Sequence, residues 1–144
     1  IDTVMLSDVL GCLVDPWSLL TGLKRYLSED VQIIASVHNV RNLMLLKQLV
    51  NDKDWEYVDG GILDAAHVRF FTHKSLHRLF EETGYEIDEE YHKLDERLHE
   101  LYRQEHGKES SRVKMGDFIL EDLDKDALTE LCTITFYVRA GLAG

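Results

Sequence analysis

The chain has 144 residues, 44% of them hydrophobic, enough for one domain with a real core and too few to expect two. Lys and Arg number 16 against 27 Asp and Glu, and the formal charge of -11 repels phosphate backbones, which excludes general nucleic-acid binding. Cys12 and Cys132 form no CxxC and stand among apolar residues, so reduced packing thiols and a cytoplasmic setting are expected, and no apolar run is long enough to make the membrane a partner.

Residues 3–6 are a short β-branched and apolar run, read as a buried parallel strand that opens into a loop at Ser7 and Asp8. In doubly wound sheets ligands lie outside the carboxyl ends of strands, which puts Ser7, Asp8, Val9 and Leu10 on a crevice; a bare turn is the alternative. Asp15 and Pro16 make an N-cap and first-turn pair, and Trp17, Leu20, Leu23 and Leu27 repeat on one helical face. Residues 31–37 form a second buried strand, and the strand, helix, strand order predicts a parallel crossover with His38 and Asn39 at its carboxyl end.

Leu43, Met44, Leu45, Leu46 and Val50 give a broad apolar face over 41–51, predicting a helix that caps a site. Residues 53–61 are polar and end in Gly60 and Gly61, a loop able to act as a lid. It leads into Asp64, His67 and Arg69, set beside the aromatic anchors Phe70 and Phe71. Thr72 stands as N-cap, Leu76, Leu79 and Phe80 as one apolar stripe and Gly84 as C′ residue, so residues 73–83 form a helix. A strand over 85–91, an amphipathic helix through Leu94, Leu98 and Leu101, a break at 107–112 and a short helix over 125–131 follow. The alternating run 133–139 is expected as an inner, antiparallel strand beside the second strand.

The run ILDAAHVRFFTHKSLHRLFEETGYEI resembles the segment after the fifth strand in a branch of the class I S-adenosylmethionine-dependent methyltransferases. IDTVMLSDVLGCLVDPWSLLTGLKRYL is similar to that family's fourth strand, its DVLEHL turn and the next helix. VQIIASVHNVRNL resembles the fifth strand with its SVPN turn, and CTITFYVRAG the last, antiparallel strand; residues 91–128 match no motif.

The resemblance implies an α/β fold: a partial Rossmann-like sheet of two parallel strands plus a C-terminal antiparallel pair, with helices. Residues 1–144 are then a single domain, the C-terminal portion of a methyltransferase domain. Residues 1–40 hold the fourth strand, helix and fifth strand, 41–84 the cap helix, acceptor loop and helix, and 85–144 the C-terminal strands and an inserted helix. It implies S-adenosylmethionine as cofactor, held by Ser7, Asp8, Val9 and Leu10, and a small-molecule methyl acceptor bound by His38, Asn39 and Arg69. Histidine changes charge near neutral pH, so His67 is the expected base, with Asp64 fixing its tautomer or holding substrate. The alternative is that Asp64, His67 and Arg69 only staple the loop to the helix.

Three departures bear on activity. Gly11 and Cys12 replace the Glu-His of DVLEHL, His38 replaces the Pro of SVPN, and the chain has no GxG, the loop that holds the cofactor's methionine and ribose in this family. Weak or no cofactor binding by this chain alone is therefore expected, with activity belonging to a longer protein; a non-catalytic binding or assembly module is the rival. The absent strand partner would leave residues 3–6 as an unprotected edge, which predicts a homodimer. His73 and His77 lie four apart, yet no third ligand is apparent in sequence, so no metal site is expected; Glu81, Glu82, Asp88, Glu89 and Glu90 read as a solvated face.

Overall fold

The computed structural model describes residues 1–144. Strand β1 (Thr3–Ser7) pairs in parallel with β2 (Gln32–His38), in register from Thr3 opposite Gln32 to Ser7 opposite Ser36. The two carboxyl ends therefore open at the same rim of the sheet. Between them runs α1 (Pro16–Leu23), started by Asp15, whose carboxylate accepts the Ser18 N–H at 2.9 Å. β6 (Thr133–Leu142) lies antiparallel between β2 and β3 (Tyr85–Leu94), so the sheet order is β1-β2-β6-β3. Two parallel strands with a C-terminal antiparallel pair is the arrangement the sequence predicts.

Helix α3 (His73–Glu82) begins in a capping box between Thr72 and Ser75 and stops at Gly84, whose φ of +79° would strain any side chain. Leu76, Leu79 and Phe80 bury its stripe with Leu20 of α1 against Ile33, Val37, Phe136 and Val138 of the sheet. Tyr85, buried at the start of β3, ties the layers by donating its hydroxyl to the Leu20 carbonyl at 2.7 Å. The opposite face of the sheet is open: Met5 is 70% and Tyr91 65% exposed, with Ile34 and Tyr137 beside them in the register.

The C-terminal third departs from the sequence reading. β3 pairs with β6 as far as Leu94, so the expected helix begins later, as a 3-10 turn at Glu96–Leu98 followed by α4 (His99–Glu105). A hairpin of β4 (Ser111–Met115) and β5 (Phe118–Leu123) follows where no element was expected. α5 (Lys125–Cys132) then leads into β6 as predicted. A second core forms here from Leu43, Leu98, Val113, Leu128, Leu131 and Cys132.

Leu43 reaches that core from α2 (Leu43–Lys47), which is shorter than expected: the turns widen over Gln48–Asp52 and end at Lys53 with φ of +54°. Leu49 and Val50 are exposed, so the apolar face ends at Leu46: Leu43 and Leu45 are buried, and Met44 and Leu46 pack partly buried against the second core. Asn51 is drawn instead into the hairpin turn, donating to the Met115 carbonyl and accepting the Asp117 N–H, both at 2.9 Å. Both thiols are free, but only Cys132 is buried; Cys12 is exposed beside the Asp8 carbonyl, which corrects the reading of it as a packing thiol. No helix is long and apolar enough to cross a membrane.

Candidate functional site

The parallel register brings Asp8 and His38 together at the strand ends, and the loop before α3 lays His67 across them. One ligating atom from each of Asp8, His38 and His67 lies within 4.8 Å of the others. His67 is 9% exposed and its Nδ1 lies 2.9 Å from the Ile62 carbonyl, an acceptor only. That contact puts the proton on Nδ1 and leaves the Nε2 lone pair free. The tautomer is thus set by Ile62, and not by Asp64 as expected. Asp64 closes its own loop instead: its carboxylate accepts the N–H groups of Ala66 at 2.8 Å and Gly60 at 3.0 Å. Those amides, Ala66 foremost, hold its pKa below the usual carboxylate value.

Gly11 explains how the ring fits. Its carbonyl accepts the Val68 and Arg69 N–H groups at 2.9 and 3.0 Å, docking the His67 loop on the turn after β1. A Cβ at Gly11 would lie 3.3 Å from the His67 ring and 3.4 Å from the Arg69 carbonyl. The departure at this position therefore makes room for His67.

His38 is half-buried, with Nδ1 3.2 Å from Asp8 Oδ1 but without hydrogen-bond alignment, so this nitrogen is unsatisfied. Burial pushes the His38 pKa down, Asp8 works against that, and the neighbouring His67 adds to it. Asp8 itself is exposed, sits at φ of +53° and donates its N–H to Ser36 Oγ at 3.1 Å. The space enclosed by Asp8, Gly11, His38, His67 and Phe70 is about 10 Å³, room for about one water. A larger groove of about 230 Å³, lined by Met44, Leu45, Val58, Ile62 and Arg97, lies on the other side of Ile62.

The remaining expected site residues divide. Ser7 is exposed at the rim beside Asp8, while Val9 is half-buried and Leu10 fully buried in the core, out of a ligand's reach. Asn39 is buried with its amide donating to the Glu130 and Thr133 carbonyls and its oxygen accepting the Arg41 N–H, so it serves the fold and does not face the pocket. Arg69 donates twice to the Val14 carbonyl and lies 5.0 Å over the Trp17 ring, pinning the loop to α1. Sequence reasoning noted Gly11 only as a departure from the DVLEHL turn and missed Ile62, since neither has side-chain chemistry. It also missed Glu90, whose carboxylate meets His73, His77 and His92 in place of solvent.

Comparison with known proteins gives a consistent family. The profile of a family described as methyltransferase domain matches residues 1–90. Among solved structures, a SAM-dependent methyltransferase of Thermotoga maritima, named as a candidate histamine N-methyltransferase, superposes with TM-score 0.56 at 12% identity over 97% of this chain and 55% of its own. The Haloferax volcanii complex of the Trm112 methyltransferase activator with a candidate methyltransferase gives 0.55 at 13% identity over 100% of this chain and 55% of that one. A candidate methyltransferase of Bacillus halodurans gives 0.52 at 12% identity over 99% of this chain and 64% of that one. At these identities the likeness is one of fold, and the chain spans between about half and two thirds of those proteins' length. No curated protein matches it.

Proposed function

The chain belongs to the methyltransferase-domain family, and from that premise we propose that it forms the acceptor side of an S-adenosylmethionine-dependent methyltransferase acting on a small molecule. The observation that supports this reading is the His67 ring, whose Nε2 lone pair is left free between Asp8 and His38 at the shared rim of β1 and β2. S-adenosylmethionine, when bound, supplies an electrophilic methyl group. A hydroxyl or amine acceptor must then lose a proton, and His67 Nε2 takes it. Asp8 stabilises the imidazolium that results. His38, its pKa pushed down by burial and its buried Nδ1 without a hydrogen-bond partner, stands beside the acceptor.

The residues present fit one wall of a cofactor site. Ser7 and Asp8 are exposed at the rim and can reach a ligand's polar groups, whereas Leu10 cannot, and the chain has no GxG loop. The other wall is assigned to polypeptide outside these 144 residues, and the chain alone is inactive in this reading. The acceptor enters when the loop ending at Gly60 and Gly61, both at positive φ, lifts Ile62 and joins the small space at His67 to the larger groove. The free thiols Cys12 and Cys132 suit a reducing cytoplasm.

A second reading, a binding or assembly module without catalysis, draws on the closure of the same site: about 10 Å³ beside His67 holds no acceptor as it stands. Transfer of a labelled methyl group separates the two. The longest open frame containing this chain is incubated with labelled cofactor and a small-molecule extract, as wild type and as His67→Gln. The enzyme reading expects transfer that drops by about 10²-fold or more in the variant while cofactor affinity is kept. Cofactor binding without any transfer would favour the module.

A further inference from the structure

Between α3 and β3, on the helix side of the sheet, four side chains converge that the methyltransferase reading does not use, and we propose that His73, His77 and Glu90, completed by His92, bind a divalent transition-metal ion of the zinc class. His73 and His77 stand four apart on α3 and so share one face, with ring centroids 4.5 Å apart. Glu90 and His92 stand two apart on β3, opposite Val138 and Phe136 of β6, and so project from the same side of the strand. Every ring presents the same atom to the carboxylate. His73 Nε2 and His92 Nε2 each lie 2.8 Å from Glu90 Oε2, and His77 Nε2 contacts Glu90 Oε1. The donor atoms of His73, His77 and Glu90 all lie within 4.8 Å of one another.

Imidazole nitrogens with one carboxylate suit zinc and its neighbours in the series, and the absence of a thiolate from the set is common in such sites. Bonds of about 2.0–2.1 Å to a tetrahedral ion put donors about 3.3 Å apart, so the His73 and His92 contacts to Glu90 need to open by about 0.5 Å around the ion and the closer His77 contact by about twice that or more. The rings are already oriented. Phe136 packs edge-on against His73 at 5.4 Å and His92 at 5.0 Å, and the capping box at Thr72 fixes where α3 starts. The four side chains are 22–33% exposed, which leaves an open path for an ion, and the charge of -11 draws cations to the surface. The ion would clamp the first two turns of α3 to β3, the strand at the other edge of the sheet from β1.

Equilibrium dialysis of the chelator-stripped 144-residue chain against zinc tests this, in a His38→Asn background so that the Asp8, His38, His67 group lacks a ligand. One ion per chain is expected. Glu90→Gln and His77→Asn should each raise the dissociation constant by about tenfold or more, with melting in chelator confirming that the variants are folded. The same His38→Asn chain gives a second reading: zinc should shift the imidazole resonances of His73, His77 and His92 and leave those of His99 and His106 in place. No saturable binding, binding indifferent to Glu90→Gln, or resonance shifts elsewhere than at the three rings would overturn the site and leave a hydrogen-bonded cluster.

Discussion

Replacing Asn42 with alanine is expected to destabilise the fold by about 3 kcal/mol. Asn42 is completely buried at the start of α2. Its Oδ1 accepts the Met44 N–H at 3.0 Å and the Leu45 N–H at 3.3 Å, which starts α2; loss of such a cap costs about 1 kcal/mol. Its Nδ2 donates to the Thr133 carbonyl at 3.2 Å and to Asp95 Oδ2 at 3.1 Å. Asp95 is 2% exposed, and a hydrogen bond to a buried carboxylate contributes about 1.5–3 kcal/mol. Arg97 still holds Asp95 at 2.7 and 3.0 Å, which keeps that contribution near the middle of its range and, with the cap, the total near about 3 kcal/mol. At about 3 °C per kcal/mol for a chain of this length, the melting temperature falls by about 10 °C. Urea unfolding with an unchanged m-value measures the same loss, and a change below about 1 kcal/mol would refute the role given to Asn42. Asn42→Asp sharpens the test: the cap acceptor survives, but a second carboxylate faces Asp95. A repelled acid has a raised folded pKa, so this variant should come closest to wild type at acidic pH and lose stability as pH rises.

Three further outcomes follow from the structure. His38 should titrate below the ordinary histidine value by NMR, since burial outweighs Asp8, and Asp8→Asn should move the midpoint lower still; with its folded pKa depressed, the stability it contributes is complete above the ordinary value and fades as pH falls through the folded one, and an upward shift in Asp8→Asn would contradict this. A thiol reagent at pH 8 should label one cysteine per native chain, because Cys12 is exposed while burial, with Asp95 adding, pushes the Cys132 thiol up to about 11; two fast thiols would contradict the packing of α5. The edge position of β1 and the open face carrying Met5, Ile34, Tyr91 and Tyr137 predict a dimer in sedimentation equilibrium that Met5→Lys weakens by about tenfold, whereas a monomer at every concentration would contradict it.

The sheet and its two covering helices were legible because their signals are local. Asp15-Pro16, Thr72 and Gly84 mark ends, and Leu20, Leu76, Leu79 and Phe80 carry a helical period. The hairpin was not legible, since SRVKM and FILEDL are short and charged, and their turn is held by Asn51 from more than sixty residues away. Asn39 and Arg69 looked like ligands by type and position, but carbonyls brought in by α5 and by the segment before α1 occupy their donors. His73 and His77 looked like bare surface for the opposite reason: Glu90 lies within a carboxylate run and reaches them only after β3 folds back along α3. The closeness of Asp8, His38 and His67 is a product of parallel register joined to a loop docked on the Gly11 carbonyl.

Calorimetric titration of S-adenosylmethionine into the longest open frame containing this chain, and into the 144 residues alone, tests the proposed function most directly. Micromolar binding to the longer protein, weakened by Asp8→Ala, with none to the 144 residues alone, is the predicted result. A longer protein that takes up no S-adenosylmethionine would contradict the account.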